Sequence, residues 1–266
     1  METNDNSKKW TRPKSVPVPT IWRRCVGLKE MEHGRKPKFI IQDVPEEMHE
    51  DIVDFMSTHF FRDEATLESL KVLEDPVSMK EFQEFYRKTL KQNLALVALV
   101  EDVEDKGKLR IAGCNLTGVS YKSDKITADM FQGRVTKIII RDLMERAIGS
   151  ANVFERYDVE ECMIAVGLCV DPVYRGQGLG LEILKTRTDL GKAVGLNVTM
   201  TVFTAVPSQK LAHKFGMEVL TEIFYEDIQE EDFLTADWMI THSHSMDKYI
   251  IGCETAVSTI WQWGGG

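Results

Sequence analysis

The stretch from Cys162 to Val194 constrains this chain more than any other. An apolar run from Met163 to Val170 is stopped by Asp171-Pro172, because proline cannot donate to a sheet ladder. A glycine cluster follows, Arg175-Gly-Gln-Gly-Leu-Gly180, and then Leu179, Ile183, Thr186, Leu190 and Val194 recur at three- and four-residue spacing. The pattern predicts a strand, a turn, a glycine loop and an amphipathic helix. Glycines at 176, 178 and 180 leave backbone N–H groups unshielded at the positive end of that helix, which makes a cradle for phosphate oxygens. Neither common phosphate motif fits. A P-loop needs a lysine and a hydroxyl residue after its last glycine, and a dinucleotide fingerprint needs glycine where Leu181 stands.

The totals narrow the partners. With 266 residues, 43% apolar and 28% charged, the chain holds one large globular domain or a domain with extensions. The net charge of -9 is unevenly placed: residues 1–38 hold ten Lys/Arg against four Asp/Glu, and everything after them is strongly acidic. An acidic body argues against nucleic acid and for a cationic small molecule. The five cysteines show no disulfide or metal spacing, and Cys162 and Cys169 suit small core positions, so a reducing, cytoplasmic setting and no metal are expected. A monomer is expected as well. No apolar window resembles a leader or a span, so no membrane partner is expected.

Taken in order, residues 1–37 form a basic extension with Pro13, Pro17, Pro19 and Pro37, expected to drape over the domain through Trp10 and Trp22 and to be dispensable for chemistry. Lys38 to Gln42 predicts a strand, and Pro45 with Glu46 and Glu47 opens a helix whose apolar face runs Met48, Ile52, Phe55, Met56, His59. Ser78-Met-Lys-Glu81 reads as a capping box opening a second helix. Two strands, 94–100 and 109–119, flank a charged hairpin loop, and 134–148 is amphipathic. After the central unit come a strand at 197–204, a helix at 207–215 and a strand at 217–225. The fold class is α/β (α+β), with a mostly antiparallel sheet. The domain is expected over 38–235, with a C-terminal tail over 236–266.

The spacing Arg175-x-x-Gly178-x-Gly180 resembles the Arg/Gln-x-x-Gly-x-Gly/Ala signature of GNAT-superfamily N-acetyltransferases. "PEEMHEDIVDFMSTHFFRDEATL", "RIAGCNL" and "TVFTAVPSQKLAHKFGMEVL" are similar to the first helix, third strand and post-loop segment of the insect arylalkylamine (dopamine-type) group. The resemblance implies a GNAT fold and a mixed sheet. It also implies acetyl-CoA held by Arg175, Gly176, Gln177, Gly178, Leu179 and Gly180, with the thioester carbonyl near the backbone of Leu168, Cys169 and Val170. The implied reaction is base-assisted attack by a small primary amine, an arylalkylamine or a polyamine. The alternatives are a peptide amine as substrate, or a catalytically silent acyl-CoA-binding protein.

The same resemblance implies the side-chain roles. The base is the glutamate after the helix-opening proline: an ungapped alignment favours Glu47, and the Pro-Glu pairing favours Glu46. Ser208 aligns with the second of two family serines, serving the cofactor, the leaving thiolate or a helix cap, while the first falls on Thr204. Apart from the resemblance, His59 and Glu64 are candidates to line the amine pocket, and the stripe Phe55, His59, Phe60 reads as core first and as a wall for an aromatic amine second. Two departures stand out: Asp63-Glu-Ala-Thr-Leu67 replaces Asp-Glu-Pro-Leu, and Ala212 occupies the position of a general-acid tyrosine common in the wider superfamily.

Overall fold

The computed structural model describes residues 9–32, 34–101, 107–224 and 248–255. Eight strands form one sheet in the order β1-β2-β3-β4-β5-β6-β8-β7: β1 (Ile21–Val26), β2 (Lys38–Asp43), β3 (Leu96–Glu101), β4 (Leu109–Tyr121), β5 (Glu161–Val170), β6 (Val198–Phe203), β7 (Glu218–Phe224) and β8 (Lys248–Thr255). Neighbours are antiparallel except β5 and β6. That parallel pair requires a crossover, supplied by the long helix after the glycine loop.

The main helices are α1 (His49–Phe55), α2 (Ala65–Ser69), α3 (Pro76–Leu90), α4 (Arg134–Ile139), α5 (Leu179–Val194) and α6 (Val206–Phe215). They cover both faces of the sheet. Leu96, Ala98 and Val100 meet Leu179, Ile183, Leu190 and Val194 of α5 on one face. Val97 and Leu99 meet Ile52, Met56, Phe82 and Tyr86 on the other. A strand buried on both faces carries a continuous apolar run, as Leu94 to Val100 does. All five residues of the predicted α5 stripe are buried.

Local differences have physical reasons. The second helix starts at Pro76, and its cap is Asp75, whose carboxylate accepts from Ser78 N at 3.1 Å and Ser78 Oγ at 2.7 Å. Glu81 does not close a capping box; it accepts from the backbone N–H groups of Gln132 and Gly133. α1 passes through a wide π turn, Met56–Phe60, into Phe61–Asp63, and α4 continues through another at Ile140–Ile148. Such bulges let helix residues turn toward a site. The predicted hairpin loop falls partly on 102–106, outside the described residues.

The sheet also exceeds the expected domain at both ends. β1 comes from the 1–37 segment and β8 from the 236–266 segment, where it sits between β6 and β7, so neither is a tail apart from the sheet. The amino-terminal segment then follows α5 along its length. Trp10 Nε1 donates to Val194 O at 3.2 Å, and Arg23 pairs with Glu182 and Asp189. Arg12 forms a buried ion pair with Asp43, whose side chain is 0% exposed; Thr20 N and Trp22 Nε1 complete that carboxylate's donors at 2.8 and 3.0 Å. Buried carboxylates are costly unless so satisfied. Among the described residues no helix is long and apolar enough to cross a membrane.

Candidate active site

The site forms where β5 and β6 part. They pair only from Met163↔Thr199 to Ala165↔Thr201. At the next residue β5 bulges: Leu116 of β4 faces Gly167 while Thr117 faces Ala165, which leaves Val166 extra. Bulges bend the strand that carries them. Leu168, Cys169 and Val170 therefore stay laddered to β4 but lie beyond the described pairing with β6, lining the resulting cleft. The Cys169 thiol is pushed up to about 12 by burial, with the Arg175 charge opposing. It is an inert thiol at neutral pH.

The glycine loop closes one end. Gly176 (φ +75°) and Gly178 (φ +79°) are left-handed, a conformation that strains other residues, and Gly178 caps α5. Gln177 between them is buried at 7% exposure, and Leu179 is core. Gly180 has room for a Cβ, at ordinary contact distance from Leu211 and Leu168. Arg175 turns back: its Nε donates to Val170 O at 3.0 Å and its Nη2 pairs with Asp63. Asp63 in turn is held at about 2 by hydrogen bonds from Arg62 first and Arg175 next, against the opposing effect of burial. The Arg175 side chain thus ties strand, loop and the end of the first helix together.

These features suit acetyl-CoA. The two left-handed glycines open the backbone at the N-terminus of a 16-residue helix, where unpaired N–H groups favour phosphate oxygens. Residues 175–180 would hold the pyrophosphate, and the parted strand would receive the thioester.

The cleft runs into a cavity of about 520 Å³. Its walls are mainly apolar and aromatic, with Phe60, Phe82, Phe85, Tyr86, Phe131 and Phe203 contributing rings. Glu64 lies on this wall. Its Oε2 accepts from Leu67 N at 2.7 Å, capping α2, and its Oε1 accepts from Thr204 Oγ1. Asp63 is committed to two arginines and Glu81 to two backbone N–H groups. Glu64 has no cationic partner among the described residues. The Tyr86 hydroxyl is raised well above the ordinary phenol range, by burial first and then by the Glu64 charge, so it stays protonated beside that carboxylate.

Other sequence expectations land elsewhere. Glu46 and Glu47 are exposed on the turn before α1 and do not line the cavity. Of the stripe Phe55, His59, Phe60, Phe55 is buried in the core and packs on His59 at 4.7 Å, and only Phe60 lines the cavity. Ser208 is on the wall, but its hydroxyl is engaged in capping α6, donating to Ala205 O at 2.7 Å and accepting from Ala205 N at 3.3 Å. Arg187 and Tyr86 also line the cavity, and neither is among the residues expected from the sequence. Arg187 is 1% exposed and donates to Thr201 Oγ1 at 2.8 Å. Its spacing from Ile183 and Leu190 is the available signal, since a cation on a buried helix stripe has to meet polar atoms inside.

Comparison with known proteins identifies the family and the fold. The acetyltransferase (GNAT) family model matches residues 120–217. A putative arylalkylamine N-acetyltransferase 7 from the yellow fever mosquito Aedes aegypti is 30% identical, with 93% of this chain and all of that one covered and a TM-score of 0.81. Arylalkylamine N-acetyltransferase 2 from Aedes aegypti is 22% identical over 82% of this chain and 99% of that one, TM-score 0.69. A Drosophila melanogaster polyamine N-acetyltransferase is 18% identical over the same shares, TM-score 0.59. The last two share the fold. No curated protein matches the sequence.

Proposed function

This chain belongs to the acetyltransferase (GNAT) family, and we propose that it acetylates a small arylalkylamine whose ammonium group is received by Glu64. It is an acetyl-CoA-dependent N-acetyltransferase; when bound, acetyl-CoA supplies the acetyl thioester. The observation that carries the substrate reading is the aromatic cavity with a carboxylate on its wall that has no cation partner among the described residues. A volume of about 520 Å³ is of small-molecule size. Aromatic walls favour an aryl ring, and the carboxylate favours the amine cation.

The need for a base can be sized. An alkylamine near the lysine reference value is neutral in one molecule in ~2,500 at pH 7, so roughly 4–5 kcal/mol of protonation has to be undone. Glu64 is placed to take that proton, directly or through a water, while Thr204 Oγ1 and Leu67 N fix its two oxygens. Backbone N–H groups at the parted end of β5 polarise the thioester carbonyl, an effect worth about 2.7–4 kcal/mol for one donor. The neutral amine attacks the thioester carbon directly, the C–S bond breaks, and the coenzyme leaves as its thiol with the proton released from the attacking nitrogen; Cys169, held as a thiol by burial, offers no competing nucleophile. Ser208 holds the start of α6 on the cavity rim.

The test is kcat/KM against pH for an alkylamine and for a weakly basic aromatic amine, in wild type, Glu64→Gln and Glu47→Ala. Glu64→Gln is expected to lose about 10²–10⁴ on the alkylamine, the usual worth of a positioned base, and much less on the aromatic amine, which arrives neutral. Equal losses on both amines would make Glu64 a positioning group. A loss confined to Glu47→Ala would return the base to the turn before α1.

A further inference from the structure

We infer that residues 27–31 of the amino-terminal segment are part of the acetyl-CoA site, clamping the glycine loop through Gln177 and setting the Lys29 ammonium where a coenzyme phosphate binds. This rests on the assignment of residues 175–180 to the coenzyme.

Gln177 is in the glycine loop, between its two left-handed glycines. Here it is almost fully buried, and this segment covers it. Leu28 N donates to Gln177 O at 3.3 Å, and Lys29 N donates to Gln177 Oε1 at 2.8 Å. Gln177 Nε2 reaches Met31 Sδ at 3.3 Å. The segment is itself closed into a compact loop by Gly27 N to Pro37 O at 2.8 Å and Met31 N to Arg35 O at 3.0 Å. Both left-handed glycines face it: a Cβ on Gly178 would lie 3.3 Å from Leu28 Cδ1, and one on Gly176 would lie 3.9 Å from Lys29 Nζ.

Two independent anion-attracting elements therefore converge. One is the N-terminus of α5 with its opened backbone; the other is an exposed ammonium that has no carboxylate partner among the described residues. The juxtaposition puts one cation of the basic amino-terminal segment beside the glycine loop. Coenzyme A carries several phosphate charges, and most of this chain is acidic and repels them. On the assignment of residues 175–180 to the coenzyme, the basic segment brings a cation to where its phosphates dock. Pinning Gln177 from outside holds the loop in its binding conformation before the ligand arrives, which lowers the ordering cost of binding.

The experiment is calorimetric titration of the full chain with coenzyme A at low and high salt, for wild type, Lys29→Ala, Lys29→Glu, Lys29→Arg, Gly27→Ala and Gly178→Asp, with melting curves to confirm folding. Lys29→Ala should weaken binding roughly ten-fold at low salt and less at high salt, as a charge-assisted contact on an exposed surface does. Lys29→Glu should weaken it further, and Lys29→Arg should stay near wild type. Gly27→Ala removes no charge, but its Cβ would sit 2.7 Å from both Gln177 Oε1 and Pro37 Cγ, so it should weaken binding by shifting the clamp. Dephospho-coenzyme A locates the contact. Equal loss with both ligands places Lys29 at the pyrophosphate, and loss with coenzyme A alone places it at the 3′-phosphate. Wild-type affinity in both Lys29→Ala and Lys29→Glu would overturn the ammonium's role, and wild-type affinity in a folded Gly27→Ala would overturn the clamp. If Gly178→Asp binds as wild type does, the loop assignment itself is wrong, a separate failure.

Discussion

Arg12→Ala tests the buried pair with Asp43 that anchors the amino-terminal segment, and it also removes donors to Val16 O, Pro17 O and Asn93 O. The change removes two guanidinium donors, at 3.0 and 2.8 Å, from a carboxylate with no exposed side-chain surface, leaving Asp43 only Thr20 N and Trp22 Nε1. Removing one partner of a buried pair costs about 3–5 kcal/mol, because the remaining charge loses its counter-charge without regaining water. Two hydrogen bonds to a charged group, at about 1.5–3 kcal/mol each, reach the same range. Domains are stable by only about 5–15 kcal/mol, and each kcal/mol moves Tm by about 2–4 °C at this size. Arg12→Ala should therefore melt roughly 6–20 °C below wild type. Urea unfolding of wild type, Arg12→Ala, Asp43→Asn and the double variant measures the coupling directly. The double variant should lose less than the sum of the singles, since a neutral amide in place of the carboxylate leaves no buried charge to compensate. A loss below about 1 kcal/mol, the range of exposed pairs, would refute the reasoning. A chain beginning at Pro37 would lose every donor named here at once, so it should melt lower still.

Incubation with acetyl-CoA and no amine should leave Cys169 unmodified by mass spectrometry, because burial holds its thiol at about 12 and the thiolate fraction at neutral pH is negligible; acetylated Cys169 would overturn direct transfer. Asp63 is held at about 2, below its unfolded value of ~3.9. A depressed carboxylate contributes stability that is fully present above the unfolded value and is lost as pH falls through the folded one. Asp63→Asn should accordingly flatten the fall in Tm between about pH 4 and pH 2, and an unchanged acid limb would show that the Arg62 and Arg175 contacts carry no free energy.

The periodic elements were legible in the sequence because their signals are local. The α5 stripe, the Asp-Pro stop after Val170 and the glycine cluster each follow from backbone sterics and helix phase within a few residues. The family resemblance at Arg175 to Gly180 then carried the coenzyme assignment. Capping was less legible: Asp75, Ser78 and Glu81 offer competing acceptors, and the choice depended on where Gln132 and Gly133 would lie.

Only the tertiary structure decided the rest. Glu47 and Glu64 are both glutamates near the ends of the first helical segment, and nothing in their local sequence says which one meets the cavity. Packing against β5 and β6 brings Glu64 to Thr204, 140 positions away, and leaves Glu47 in water. The strand parting at Val166 is equally non-local, since it needs β4 and β6 on opposite sides of β5 with different registers. The amino-terminal segment reads as a polar extension because its edge strand β1 buries little of its own surface. Its place is set by backbone pairing and by a few long-range contacts, Arg12 to Asp43 and Lys29 to Gln177, which composition does not encode.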